Sequence, residues 1–118
     1  KYAAGIAKTA GVSIEETATL IAMLGNAGVK ASMAGTNIKS MFLMLSAPSK
    51  EANKALKSLG LSAEYVAANL DKPKVMLQKL NDSMIGASSA KKLDLVSTIF
   101  GTEPAAGIIA LMDKVETE

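Results

Sequence analysis

At 118 residues the chain has the length of one domain, and 49% apolar residues give it material for a core. It holds no Cys, His, Trp or Arg, which excludes disulfides, thiol nucleophiles, imidazole ligands, Ser-His-Asp triads and guanidinium forks for phosphate or guanine. Thirteen lysines against eleven acids leave a net charge of +2, too balanced for a nucleic-acid footprint unless the lysines gather on one face.

An Ala-rich start with Tyr2 and Ile6 suggests a first helix. Ile14, Ala18, Ile21 and Leu24 then recur at helical spacing, with Leu20 and Met23 beside them. A helix apolar over most of its surface is expected at the centre of the core. Ser13 and Glu16 have the spacing of a capping box at its start, and Asn26-Ala27-Gly28 breaks it. Ile38, Met41, Phe42 and Leu45 form the next stripe. Ala52, Ala55, Leu56 and Leu59 follow, with Lys50, Lys54 and Lys57 on the wet side and Gly60 as a left-handed stop. Ser62 opens a short helix, with Leu61 and Val66 placed as a hydrophobic staple. Beyond the break at Asp71-Lys72-Pro73, Leu77, Leu80 and Met84 mark another helix, and Leu93, Val96, Ile99 and Phe100 one more, closed by Gly101. Thr102 is the expected cap of the last, with Pro104 in its first turn and Ala105, Ile108, Ile109, Met112 and Val115 on its apolar side.

No alternating β-branched run argues for a strand. The expected fold is all-α, a compact bundle of six or seven short helices, about 35 Å across by the usual size scaling. Gly11-Val12-Ser13-Ile14-Glu15 and Gly60-Leu61-Ser62-Ala63-Glu64 echo each other. The similarity ends within a turn, so it reads as one joint design used twice, not as an internal repeat.

The candidates for chemistry have structural readings. Glu15 and Glu16 are adjacent in a first helical turn, where acids favour the helix dipole. Asp82 and Asp94 belong to different helices, and nothing in the sequence pairs them. Ser88 or Ser89 with Lys91 resembles a Ser–Lys nucleophile pair, but a serine at a helix start is foremost an N-cap. Asn81-Asp82-Ser83 fits the glycosylation triplet by coincidence, inside a helix. No glycine-rich phosphate loop occurs, and no uncharged stretch exceeds the thirteen residues from Thr17 to Val29, against about 20 for a membrane span. The expectation is no enzyme, no cofactor and no catalytic, cofactor-binding or metal-binding residue. The seven methionines are first of all core fillers in a chain with few aromatics, with one or two available for a contact surface. Residues 14–25 and 33–45 also have the outline of a helix-turn-helix, whose second helix would offer Thr36, Asn37, Lys39 and Ser40 with a single positive charge.

From Ala10 to Pro48 the chain resembles the core region of tail tape-measure proteins of long-tailed bacteriophages and prophages. The motifs are the Gly-apolar-Ser-apolar-Glu-Glu run Gly11 to Glu16, the Asn-Ala-Gly turn Asn26 to Gly28, the Ala-Gly-Thr segment Ala34 to Thr36, and the basic-apolar helix Lys39 to Pro48. Ser49 to Ser62 and Ile99-Phe100-Gly101-Thr102-Glu103 continue the likeness, while residues 63–90 depart most. The resemblance implies a structural protein, located in the tail lumen and in the bacterial cytoplasm during assembly, that sets tail length and nucleates assembly. It implies as partners the tail assembly chaperones, the tube protein, the tail tip or baseplate and further copies of itself, with no specific nucleic acid and no membrane. A chain that starts at Lys1 and ends at Glu118 reads as one helical domain, residues 1–118, of a longer tape-measure chain. Because the helices break every ten to fifteen residues, the expectation is a folded docking domain and not the ruler rod. The alternative reading is a generic helical protein-interaction module, with helix-turn-helix DNA binding behind it.

Overall fold

A computed structural model of the chain describes residues 11–117. Seven helices lie among them: α1 (Ile14–Asn26), α2 (Ala31–Ser46), α3 (Lys50–Ser58), α4 (Ala63–Ala68), α5 (Pro73–Ser83), α6 (Ser89–Phe100) and α7 (Thr102–Thr117), with no strand among the described residues. The helix suggested around Tyr2 and Ile6 falls outside the described residues.

Serines start four of the helices. Ser13, Ser49, Ser62 and Ser88 each accept a hydrogen bond at the side-chain oxygen from the backbone N–H three residues on, at 3.0–3.1 Å. This satisfies one of the amides that a helix start leaves without an internal partner. At Ser13 only the hydroxyl half of the capping box forms among the described residues. Two helices stop alike. Gly60 and Gly28 have positive φ, and the pairs Leu61 N–H to Leu56 C=O with Gly60 N–H to Lys57 C=O, and Val29 N–H to Leu24 C=O with Gly28 N–H to Gly25 C=O, are Schellman bonds. The echo between residues 11–15 and 60–64 is the same joint twice: a positive-φ glycine, a buried apolar residue (Val12, Leu61), then a capping serine. Gly86-Ala87-Ser88 is a third, with Ala87 half-buried. α7 begins at Thr102 directly after Gly101, whose φ of 99° turns α6 into α7 through 117°.

The centre of the bundle differs from the expectation. α7 packs against α1, α2, α5 and α6, and its Ala105, Ile108, Leu111 and Met112 are fully buried. α1 lies at the side. It buries Thr17, Leu20, Met23 and Leu24 and leaves Ala18 exposed and Ile14 73% exposed. A helix apolar all round does not specify which face goes inward, and here the Thr17 line is the one covered. Thr17 enters without cost because its hydroxyl donates to the Ser13 carbonyl at 3.0 Å. Leu93 likewise leaves the predicted stripe of its helix and stands 47% exposed. The core is one continuous cluster in which Phe42 is the largest fully buried side chain. The principal extents are 32 × 28 × 24 Å and no helix among the described residues exceeds 16 residues. None of the described helices is long and apolar enough to cross a membrane.

Candidate docking surface

The residue groups that suggested chemistry are not assembled into a reactive site. Ser88 Oγ accepts from the Lys91 backbone N–H, which makes it the cap of α6. Asp82 lies near the end of α5 and Asp94 within α6, both exposed, and no group of three or more carboxylates among the described residues could hold a metal ion. Ser83 of the glycosylation triplet is helical and donates to the Leu80 carbonyl at 2.7 Å.

The helix-turn-helix reading fails on burial. In α2 the stripe that faces inward is Ala34, Asn37, Ile38, Met41, Phe42 and Leu45. Asn37, the side chain best suited to read a base, is 7% exposed and packs against α7, while Lys39 and Ser40 are half-buried. The exposed lysines do form one stripe. Lys50, Lys54 and Lys57 follow each other at i, i+4 and i+7 on α3. Three ammonium groups are few beside the roughly six to ten phosphate contacts of a protein held to DNA by charge.

What the surface offers instead is grooves. One, about 620 Å³, lies along α5 beside Tyr65 of α4, where Lys79 Nζ stands 5.0 Å from the ring centroid. Leu59, Tyr65 and Val75 share its lining with the polar or charged Lys74, Gln78, Lys79, Asp82 and Ser83. A second groove, about 400 Å³, runs where the α1–α2 turn and α2 meet α7. Here the walls are Ala27, Gly28, Val29 and Met33 on one side and Ala106, Gly107 and Ala110 on the other, with Lys30 and Glu103 as its only charges. Met33 is 55% exposed, whereas Met23, Met41, Met76, Met84 and Met112 are core fillers. A third cleft, about 340 Å³, shares Ala106 and adds Leu93 of α6 and Ile109 of α7. The outer face of α7 is therefore flanked by two exposed large apolar side chains, Met33 and Leu93.

Asn37 lies in the α2–α7 groove and is the feature that sequence reasoning misplaced. A Cβ on Gly107 would run into its side-chain amide, with Cγ at 3.0 Å. Gly107 is thus the slot that lets α7 close over Asn37. Thr17 and Asn37 are the two buried polar residues among those described, and Thr17 alone has its side-chain hydrogen bond within the fold.

Comparison with known proteins points in one direction. A family model described as "Phage-related minor tail protein" matches residues 1–101. The "Probable tape measure protein" of Escherichia phage P2 is 36% identical over 118 residues, which is 98% of this chain and 14% of that protein. The "Tape measure protein" of Pneumococcus phage Dp-1 is 29% identical over 113 residues, 96% of this chain and 10% of that protein. The chain therefore spans between a tenth and a seventh of the length of these curated relatives, and its divergent stretch, residues 63–90, falls inside the family match. No solved structure matches.

Proposed function

The chain belongs to the family of phage-related minor tail proteins, and from that premise we propose that it is a folded docking domain of a tape-measure protein. The observation that carries this reading is size set against family. The relatives bear the name of a ruler, yet this segment measures 32 × 28 × 24 Å and its longest helices have 16 residues. As one continuous helix the same residues would span about 180 Å. A globule of this kind is a poor length of ruler and a good surface for other proteins. In this reading the 118 residues are one domain of a longer chain, the role is structural and not enzymatic, and its place is the virion tail. During assembly it meets other tail proteins, of which the chaperones, the tube protein and the tip or baseplate are the proposed partners.

The test is an in-frame deletion of the segment in the parent phage or prophage, with tails measured by electron microscopy. A docking domain gives absent or uncontrolled tails while the shortened protein is still made. Tails shortened by about 180 Å would make the segment part of the ruler and overturn the reading. Tails of normal length that fail to infect would move the role to ejection.

A further inference from the structure

Position 37 belongs to the buried stripe of α2, three residues after Ala34 and four before Met41. Every other member of that stripe is apolar. An asparagine there is unfavourable twice over, since it is a weak helix former and a buried amide costs stability unless it is paired. The fold also makes room for it: Gly107 lies against the amide in α7 where any side chain would collide with it. Yet the Asn37 side chain makes no hydrogen bond among the described residues, although the residue is 93% buried. No fully enclosed side-chain nitrogen or oxygen lacks a partner among the described residues, so the amide keeps its small remaining exposure toward the groove that it lines.

A primary amide aimed into an apolar groove is a paired donor and acceptor, the complement of one peptide group. A helix has its peptide groups satisfied internally, and an extended segment does not. The rest of the groove suits a chain passing through. Its walls are small (Ala106, Gly107, Ala110) or adaptable (Met33), its two charges are of opposite sign, and about 400 Å³ lies within the usual range of binding clefts, about 300–1,000 Å³.

We propose that the groove between α2 and α7 docks an extended, apolar segment of another tail protein, with one of its peptide groups hydrogen-bonded to the Asn37 amide and a small side chain seated beside Met33. The proposal deepens the docking reading and rests on it. Solvent satisfies the amide until the partner's peptide group replaces it.

Two variants of the full tape-measure chain test this. Asn37→Leu keeps the branched heavy-atom outline and removes the amide's donor and acceptor, and Met33→Lys places a charge in the groove at an exposed position. The probe is an array of overlapping 15-residue peptides from the phage's own tail tube, tip and chaperone proteins and from the tape measure itself. The expected result is capture of one or a few peptides from another tail protein, weakened about tenfold or more by either variant. Three outcomes overturn the proposal: no peptide captured, capture only of the chain's own peptides, or capture indifferent to both variants. In phage, normal tails from both variants beside absent tails from the deletion would reject the groove and leave the docking reading standing. Tails shortened by the deletion would reject the docking reading itself.

Discussion

Where α2 crosses α7, Asn37 and Gly107 depend on each other, and their coupling is measurable. Gly107→Ala gains the helix propensity of alanine, about 0.5–1 kcal/mol. It also drives a methyl group into an amide that is too enclosed to swing away, a strain of about 1–3 kcal/mol. The net is destabilising by up to about 2.5 kcal/mol in denaturant titration. In an Asn37→Ala background the collision is gone and the same substitution should become stabilising, a change of sign that a double-mutant cycle reads directly. Gly35→Ala, on the same α2 helix with nothing within 4 Å of the added carbon, should stabilise by about 0.5–1 kcal/mol in either background. This pair also marks a limit of sequence reading. Asn37 stands out in the sequence as a polar residue on a possible recognition helix. Its glycine lies seventy residues away on a different helix, and no local pattern reports that the two meet. Asn37's place within an apolar stripe was the one available signal.

At the scale of the elements the sequence was far more legible, because helix ends are made by neighbours in the chain. The serines at 13, 62 and 88 and the stop at Gly60 are local chemistry, and the structure uses them as their types require. Each of Ser13→Ala, Ser49→Ala, Ser62→Ala and Ser88→Ala should cost about 1 kcal/mol. The caps serve four different helices and share no partner, so the costs should add to about 4 kcal/mol in the quadruple variant, as measured by urea titration. A sum well below this would mean that the joints are held by packing more than by capping. What the element patterns did not reveal is which face turns inward. α1 carries apolar residues on every side, and the choice of the Thr17, Leu20, Leu24 line over Ile14 and Ala18 is set by its packing against α2 and α7. Spacing alone turns Leu93 inward, yet it borders a surface cleft beside Ile109.

The whole molecule is organised around α7, which touches four of the other six helices and closes one continuous core. The sequence gives little sign of this centrality, since α7 is no more apolar than α1 and its role follows from the bend at Gly101 that lays it across the bundle. Such an arrangement has a thermodynamic consequence. Helices that bury their faces against a shared element cannot melt alone without exposing that element, so the unfolding of the described residues should be a single cooperative transition. Ile108 is fully buried on α7. Ile108→Ala should remove about 2–5 kcal/mol, the cost of a large-to-small change in a packed core. A domain of this size holds in all about 5–15 kcal/mol, and a core rich in Ala and Met with few aromatics is expected toward the lower part of that range. The variant should therefore sit near the edge of stability. Helical signal by circular dichroism and Tyr fluorescence, which comes from Tyr65 on α4 and from Tyr2, should fall together in its melt. Loss of one signal well before the other would show that α4 and its neighbours form a separate cooperative unit. In that case the α2–α7 groove, with the helices that build it, would have to be treated as a structure able to persist without the rest.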